Sequence, residues 1–136
     1  MKFFYVGKYP TKVNWTFFII RFCAGGLMLT HGMPKLMNLI SSDPIQFGDP
    51  LGLSPELSLI LAVLAEVVCA FFVILGLWTR AALIPLIINM VVAVFVVHAE
   101  HDFGKKELGI FYLMNYLALM ISGPGRISID YLINRK

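Results

Sequence analysis

The sequence predicts an all-α membrane protein: a four-transmembrane-helix bundle, both termini cytoplasmic, folded as one domain over residues 1–136. Three observations carry this prediction. Hydrophobic residues make up 59% of the chain and charged ones 14%, with mean hydropathy +0.82, and a soluble domain this small cannot hide so much apolar surface. The apolar residues fall into four runs, expected to span at about 15–33, 55–78, 81–97 and 107–122; about 20 residues at ~1.5 Å each cross a bilayer core of roughly 30 Å. The basic residues stand at the ends of these runs. The net charge of +3 therefore forms no patch, and nucleic acid is not an expected partner.

The chain begins with a short basic and aromatic arm carrying Lys2, Lys8 and Lys12. The first span follows from Trp15 to Met33, where Pro34 is expected to disturb the helix. No small-residue cleavage site follows this run, so it reads as a retained anchor. Arg21, Gly25, Met28, Gly32 and Lys35 recur at helical spacing as one stripe. Its two glycines allow a neighbouring helix to approach closely.

The connection from Ser41 to Ser54 is acidic and rich in turn residues, long enough to fold over one end of the bundle as a lid. Ser54-Pro55-Glu56 reads as a helix start, with a serine cap, a first-turn proline and an acid near the dipole. The second span carries the chain's one mid-run carboxylate: Glu66 has nine uncharged residues before it and thirteen after. A charge at mid-bilayer is costly, on the order of 2.5–3.5 kcal/mol on insertion scales, and usually faces the bundle interior or a cavity. Ala62 and Ala70 flank it at i, i+4 spacing. In the third span Ala82, Pro85, Asn89 and Ala93 share a face; in the fourth, Phe111, Asn115 and Ser122 do. Counted along the helices at ~1.5 Å per residue, Glu66, Asn89 and Asn115 come to one level. This layer reads either as interhelical hydrogen-bond glue or as a polar pocket. Arg21 lies about 9 Å inside the membrane boundary and either snorkels to the interface or pairs with Glu66.

Orientation follows from the basic residues. Lys2, Lys8, Lys12, Arg80, Arg126, Arg135 and Lys136 fall on the side of the termini, and Lys35, Lys105 and Lys106 on the other, so both termini are expected in the cytoplasm. Trp15 and Trp78 belong to one interfacial belt. A second polar cluster gathers at the outer end: His31, Lys35, His98, Glu100, His101, Asp102 and Glu107. His98-x-x-His101 has metal-ligand spacing, but a polar loop collects the same residues and no metal site is expected. Cys23 and Cys69 lack a C-x-x-C arrangement, which speaks against a thioredoxin-type exchanger; buried cysteines usually behave as small apolar residues.

Three motifs in order resemble the DoxX family of small bacterial four-helix membrane proteins: Arg21-x-x-x-Gly25 with Gly32-x-x-Lys35-Leu36; Glu66 with Leu75-Gly76-Leu77-Trp78-Thr79-Arg80; and Gly123-Pro124-Gly125-Arg126-x-Ser128-x-Asp130. The resemblance implies weight on Arg21, Lys35, Glu66 and Arg126, a bacterial inner-membrane location and a link to redox systems, since the family takes its name from a subunit of a thiosulfate:quinone oxidoreductase. No flavin, haem or iron–sulfur motif accompanies it, so no intrinsic cofactor is expected. The function this supports is a membrane subunit of a quinone-linked system, with a quinone-like molecule held by Arg21, Glu66, Asn89 and Asn115, and His31 or Lys35 at the outer end. The alternatives are a non-catalytic accessory protein packing through its Gly/Ala stripes and a small proton-coupled transporter. Expected partners are the bilayer and either redox subunits or further copies of the chain.

Overall fold

The computed structural model describes residues 5–41 and 43–135; Lys2, Ser42 and Lys136 lie outside them. Among the described residues there is no strand. Helix α1 runs Thr11–Ser41, α2 Pro55–Leu75 and α3 Thr79–Val97, α4 Phe103–Ser122, and a short α5 Ile129–Asn134. The first three are long and apolar enough to cross a membrane. In α4 the first turns hold Lys105, Lys106 and Glu107, which shortens its apolar part. Helix α1 packs on α2, α2 on α3, α3 on α4, and α4 returns to α1.

The expectation that the first span ends at Met33, where Pro34 disturbs the helix, is corrected in its boundary. Helix α1 continues through it to Ser41. Proline removes one backbone donor, and a packed membrane helix tolerates the loss where neighbours hold the chain in line. Here that neighbour is close: a Cβ on Gly32 would lie 2.8 Å from the carbonyl oxygen of Glu66, and one on Gly25 2.9 Å from that of Ala70. The two stripe glycines thus bring the α1 backbone directly against α2. They are spent inside the bundle.

The start of α2 follows the sequence: the Ser54 hydroxyl accepts from Leu57 N–H at 3.2 Å, with proline in the first turn. Two helices then carry a π-helical turn, Leu64–Cys69 in α2 and Ala93–Val97 in α3. Such a turn inserts an extra residue into the helix and shifts the side chains around it.

The end of the bundle that gathers the termini is built from charged side chains capping helix ends. Gly76, at φ 67°, closes α2 with Leu77 N–H on Phe72 O at 2.9 Å and Gly76 N–H on Val73 O at 3.1 Å, a Schellman ending. Arg21 then donates through Nη1 to the Val73 carbonyl, which also takes the Gly76 N–H, and to that of Ile74, at 3.1 and 3.0 Å, and through Nη2 to Ile127 O. Arg80 does the same for α4, donating to Met120 O at 2.9 Å, Ile121 O at 3.4 Å and Tyr5 O at 2.8 Å. Asp130 caps the start of α3, accepting from Trp78 N–H, Thr79 N–H and the Thr79 hydroxyl at 2.7–2.9 Å. Each charge matches the sign that the helix dipole favours at its end. The tail is tied down further by Arg126 N–H on Asn14 Oδ1 at 2.8 Å.

Candidate functional site

The site begins at Glu66, which is 3% exposed and sits in the π-turn of α2. Its Oε1 accepts from Lys35 Nζ at 2.5 Å and from Asn89 Nδ2 at 2.7 Å. Lys35 is itself 32% exposed, so the ammonium is only partly buried while it neutralises a carboxylate that is almost wholly buried. That arrangement reduces the burial cost without burying two charges. Glu66 Oε2 is buried and no donor among the described residues reaches it.

Two cavities meet at this ion pair. One, of about 510 Å³, lies between α2 and α3, with Leu61, Ala62, Ala65, Pro85, Ile88 and Val92 among its walls and Phe47, Pro50, Leu51 and Leu53 of the 42–54 connection across it. The expected lid segment therefore does cover a cavity. The other, about 200 Å³, is lined by Met28, His31, Lys105, Leu108, Gly109 and Tyr112 among others. Lys35, Glu66, Ala93 and His98 line both. Each π-turn contributes to both walls, Glu66 from one and Ala93 from the other. The Phe47 ring lies 6.0 Å from Lys35 Nζ, within cation–π range.

The structure brings together Glu66, Asn89 and Lys35 of the sequence-predicted set. His31 lines the smaller cavity, its ring edge-on to Tyr112 at 5.9 Å. Two predicted members are elsewhere. Arg21 neither snorkels nor reaches Glu66: it is fully buried at the terminal end, bound to the carbonyls of α2 and the tail. Asn115 donates to Phe111 O of its own helix at 2.7 Å, and α4 presents Tyr112 and Tyr116, stacked at 6.0 Å, to the core instead. One residue along a helix is about 100° of rotation, so Asn115 cannot share the face of Tyr116. The His98 and His101 rings face each other with Nδ1 atoms 3.0 Å apart, and among the described residues no third histidine, cysteine or carboxylate joins them to form a metal-binding group. Cys23 is exposed and Cys69 buried, both as free thiols.

The geometry in turn assigns the second and third motifs. Gly76, Thr79, Arg80, Ser128 and Asp130 do not approach Glu66; they form the terminal-end caps. Asp130 was missed as a partner of α3 because a cap contributed from 51 residues away leaves no local spacing to read. The DoxX family profile covers residues 16–99 of the chain, from α1 through α3. This chain belongs to the DoxX family. Its similarity extends to a membrane protein of Mycobacterium tuberculosis named only as uncharacterized, 29% identical over 86% of this chain and 80% of that protein. The inner membrane protein YphA of Escherichia coli is 30% identical over 76% of this chain and 80% of its own length. A Haemophilus influenzae protein is 27% identical over 86% and 82%. No solved structure matches. The chain is thus a DoxX-family membrane protein, with relatives that include an inner membrane protein.

Proposed function

We propose that this DoxX-family protein is a four-span inner-membrane subunit, both termini cytoplasmic, that holds a quinone-like small molecule between α2 and α3. One observation carries the reading: an apolar cavity of about 510 Å³ ends on an ion-paired carboxylate and the amide that hydrogen-bonds it. Ligand sites are mostly apolar pockets of roughly 300–1,000 Å³ with a few convergent polar groups, and this cavity has that form. Its apolar walls suit a ring and the start of an isoprenoid tail. Lys35, Glu66 and Asn89 hold the polar end, and His31 and His98 connect that end to the smaller, more polar cavity. Redox partner subunits or further copies of the chain would work on the ligand from outside.

The accessory reading loses its main support, because Gly25, Gly32, Ala62 and Ala70 are occupied within the bundle. The transporter reading keeps one argument, that Glu66 lines both cavities.

Native mass spectrometry of the full chain extracted with its own lipids tests the proposal. The expected result is a bound quinone-class mass in the wild type, lost in Ala93→Phe, which fills the junction of the two cavities. A wild type that carries phospholipid alone, or the same bound mass in both proteins, would sink it. Cysteine labelling tests the orientation: a probe at Gln46 should react from the periplasmic side and one at Ile133 should not. The reverse pattern rules the orientation out.

A further inference from the structure

The smaller cavity carries an excess of positive charge that the ion pair does not account for. Its mouth is formed by His31 of α1 and by Lys105 and Leu108 of α4, all exposed, while Met28, Glu66 and Tyr112 behind them are buried. It therefore opens sideways, between α1 and α4. Two lysines line it, Lys35 and Lys105, against one carboxylate, Glu66, and Lys35 already neutralises that carboxylate. Among the described residues Lys105 has no such partner, although Glu100, Asp102 and Glu107 lie within five residues of it. It stands with Lys106 in the first turn of α4, which holds no acid, at the helix end whose dipole disfavours cations. His31 and His98 add two imidazoles that can donate. Nothing in the packing of the bundle requires this placement of charge, and an anion seated in the cavity would offset it.

We infer that this cavity takes the phosphate of an anionic phospholipid such as phosphatidylglycerol, whose acyl chains stay in the bilayer. The site is separate from the larger cavity and does not rest on the ligand read there. The order of residues at the mouth argues for a lipid rather than a free anion. Lys105 lies at the end of α4, and Leu108, half-exposed and one turn further in, begins the apolar part of that helix. On α1, Lys35, His31 and Leu27 follow one another on one face at i, i+4 spacing, and Leu27 is 56% exposed. Both walls thus run from cations to exposed apolar side chains towards the middle of the membrane, as a headgroup runs into its chains. A cavity of about 200 Å³ has room for a phosphate and its glycerol, and basic pockets between spanning helices hold such headgroups. Phosphatidylethanolamine fits less well, because its ammonium would meet Lys105 and a carboxylate that is already paired.

The test is native mass spectrometry of the delipidated full chain in detergent, titrated with phosphatidylglycerol or phosphatidylethanolamine of the same acyl chains. Phosphatidylglycerol should bind about fivefold more tightly, the effect of one lysine at a membrane surface. Lys105→Gln should remove most of that preference. Lys106→Gln removes an equal charge one residue away, outside the cavity lining, and should keep it; size-exclusion profiles like that of wild type show that both variants are folded. Inorganic phosphate added in excess to the lipid-loaded protein should leave the lipid in place. Equal affinity for the two lipids, or an equal loss of preference in the two variants, overturns the inference. Displacement of the lipid by inorganic phosphate overturns it as well and makes the cavity a site for a free anion. A ligand in the larger cavity is untouched by any of these results.

Discussion

The terminal end of the bundle and its middle use buried charge in opposite ways. At the terminal end Arg21, Arg80 and Asp130 spend their charge on backbone groups, each at a helix end that needs its sign. In the middle Glu66 is held by two side chains on one oxygen, has nothing on the other, and stands between two cavities. Both regions contain a residue that sequence reasoning would nominate as functional. Geometry separates them. A charge that closes helix ends against neighbouring backbone is fully explained by the fold. The Glu66 arrangement is not: its ion-paired carboxylate sits in a π-turn on the common wall of two cavities.

The sharpest way to break this contrast is to remove one charge from each region. Arg21→Met takes the guanidinium from the carbonyls of Ile74 and Ile127 and leaves Val73 with the Gly76 N–H alone, and we expect a loss on the order of 3–5 kcal/mol, read as a large fall in the unfolding temperature of the detergent-solubilised protein. Glu66→Gln should cost about 1 kcal/mol or less, because its cation, Lys35, is one-third exposed and can turn to polar surroundings. Equal losses would erase the distinction between the regions. A double-mutant cycle adds the pairing: Lys35→Met and Glu66→Gln should show a coupling of about 0.5–3 kcal/mol, whereas Arg21→Met and Glu66→Gln should add to within ~0.5 kcal/mol.

A smaller effect tests the contact between α1 and the Glu66 turn. A Cβ on Gly32 would lie 2.8 Å from both the Glu66 carbonyl oxygen and a Val67 methyl, while one on Gly26 meets nothing within 4 Å. Gly32→Ala should therefore destabilise by about 1–3 kcal/mol, and Gly26→Ala should be neutral or slightly stabilising. Similar thermal shifts for the two would mean that α1 and α2 are not in backbone contact.

The smallest effect lies outside the membrane, in the segment over the large cavity. Desolvation pushes the Asp49 carboxyl up, but hydrogen bonds from Leu53 N–H, the Ser58 hydroxyl and the Ser54 and Gly52 amides outweigh it and hold the group below its ordinary 3.8. A depressed carboxyl stabilises the fold above its unfolded value and loses that contribution as pH falls through the folded one. Amide exchange of Leu53 should accordingly be independent of protonation at Asp49 above about pH 5 and lose protection only below 3.8. Loss of protection near neutral pH would point to a different anchor for this segment.

Much of this protein is legible in its sequence. Hydropathy marks four apolar runs, and three of the helices they form are long and apolar enough to cross a membrane, because bilayer thickness sets a length that no soluble element needs. Ser54-Pro55 starts α2 because capping is local. Glu66 stands out because one acid in an apolar run is costly wherever it points, and Asn89 is placed at its level by the helical rise alone. What the sequence could not decide is which partner each polar group meets. Lys35 rather than Arg21 holds Glu66, since Arg21 lies fourteen residues, about 21 Å of helix, back along α1, level with Gly76 at the end of α2. Asn115 and Tyr116 both look eligible to line the core, and only the rotation of α4 against its neighbours turns Tyr116 inward. The π-turns have no local signature either. They carry Glu66 and Ala93, which lie on the common wall of two cavities. Composition and period act along one helix, whereas rotation, depth and pairing are settled between helices, and the chemistry of the Glu66 site depends on the second kind.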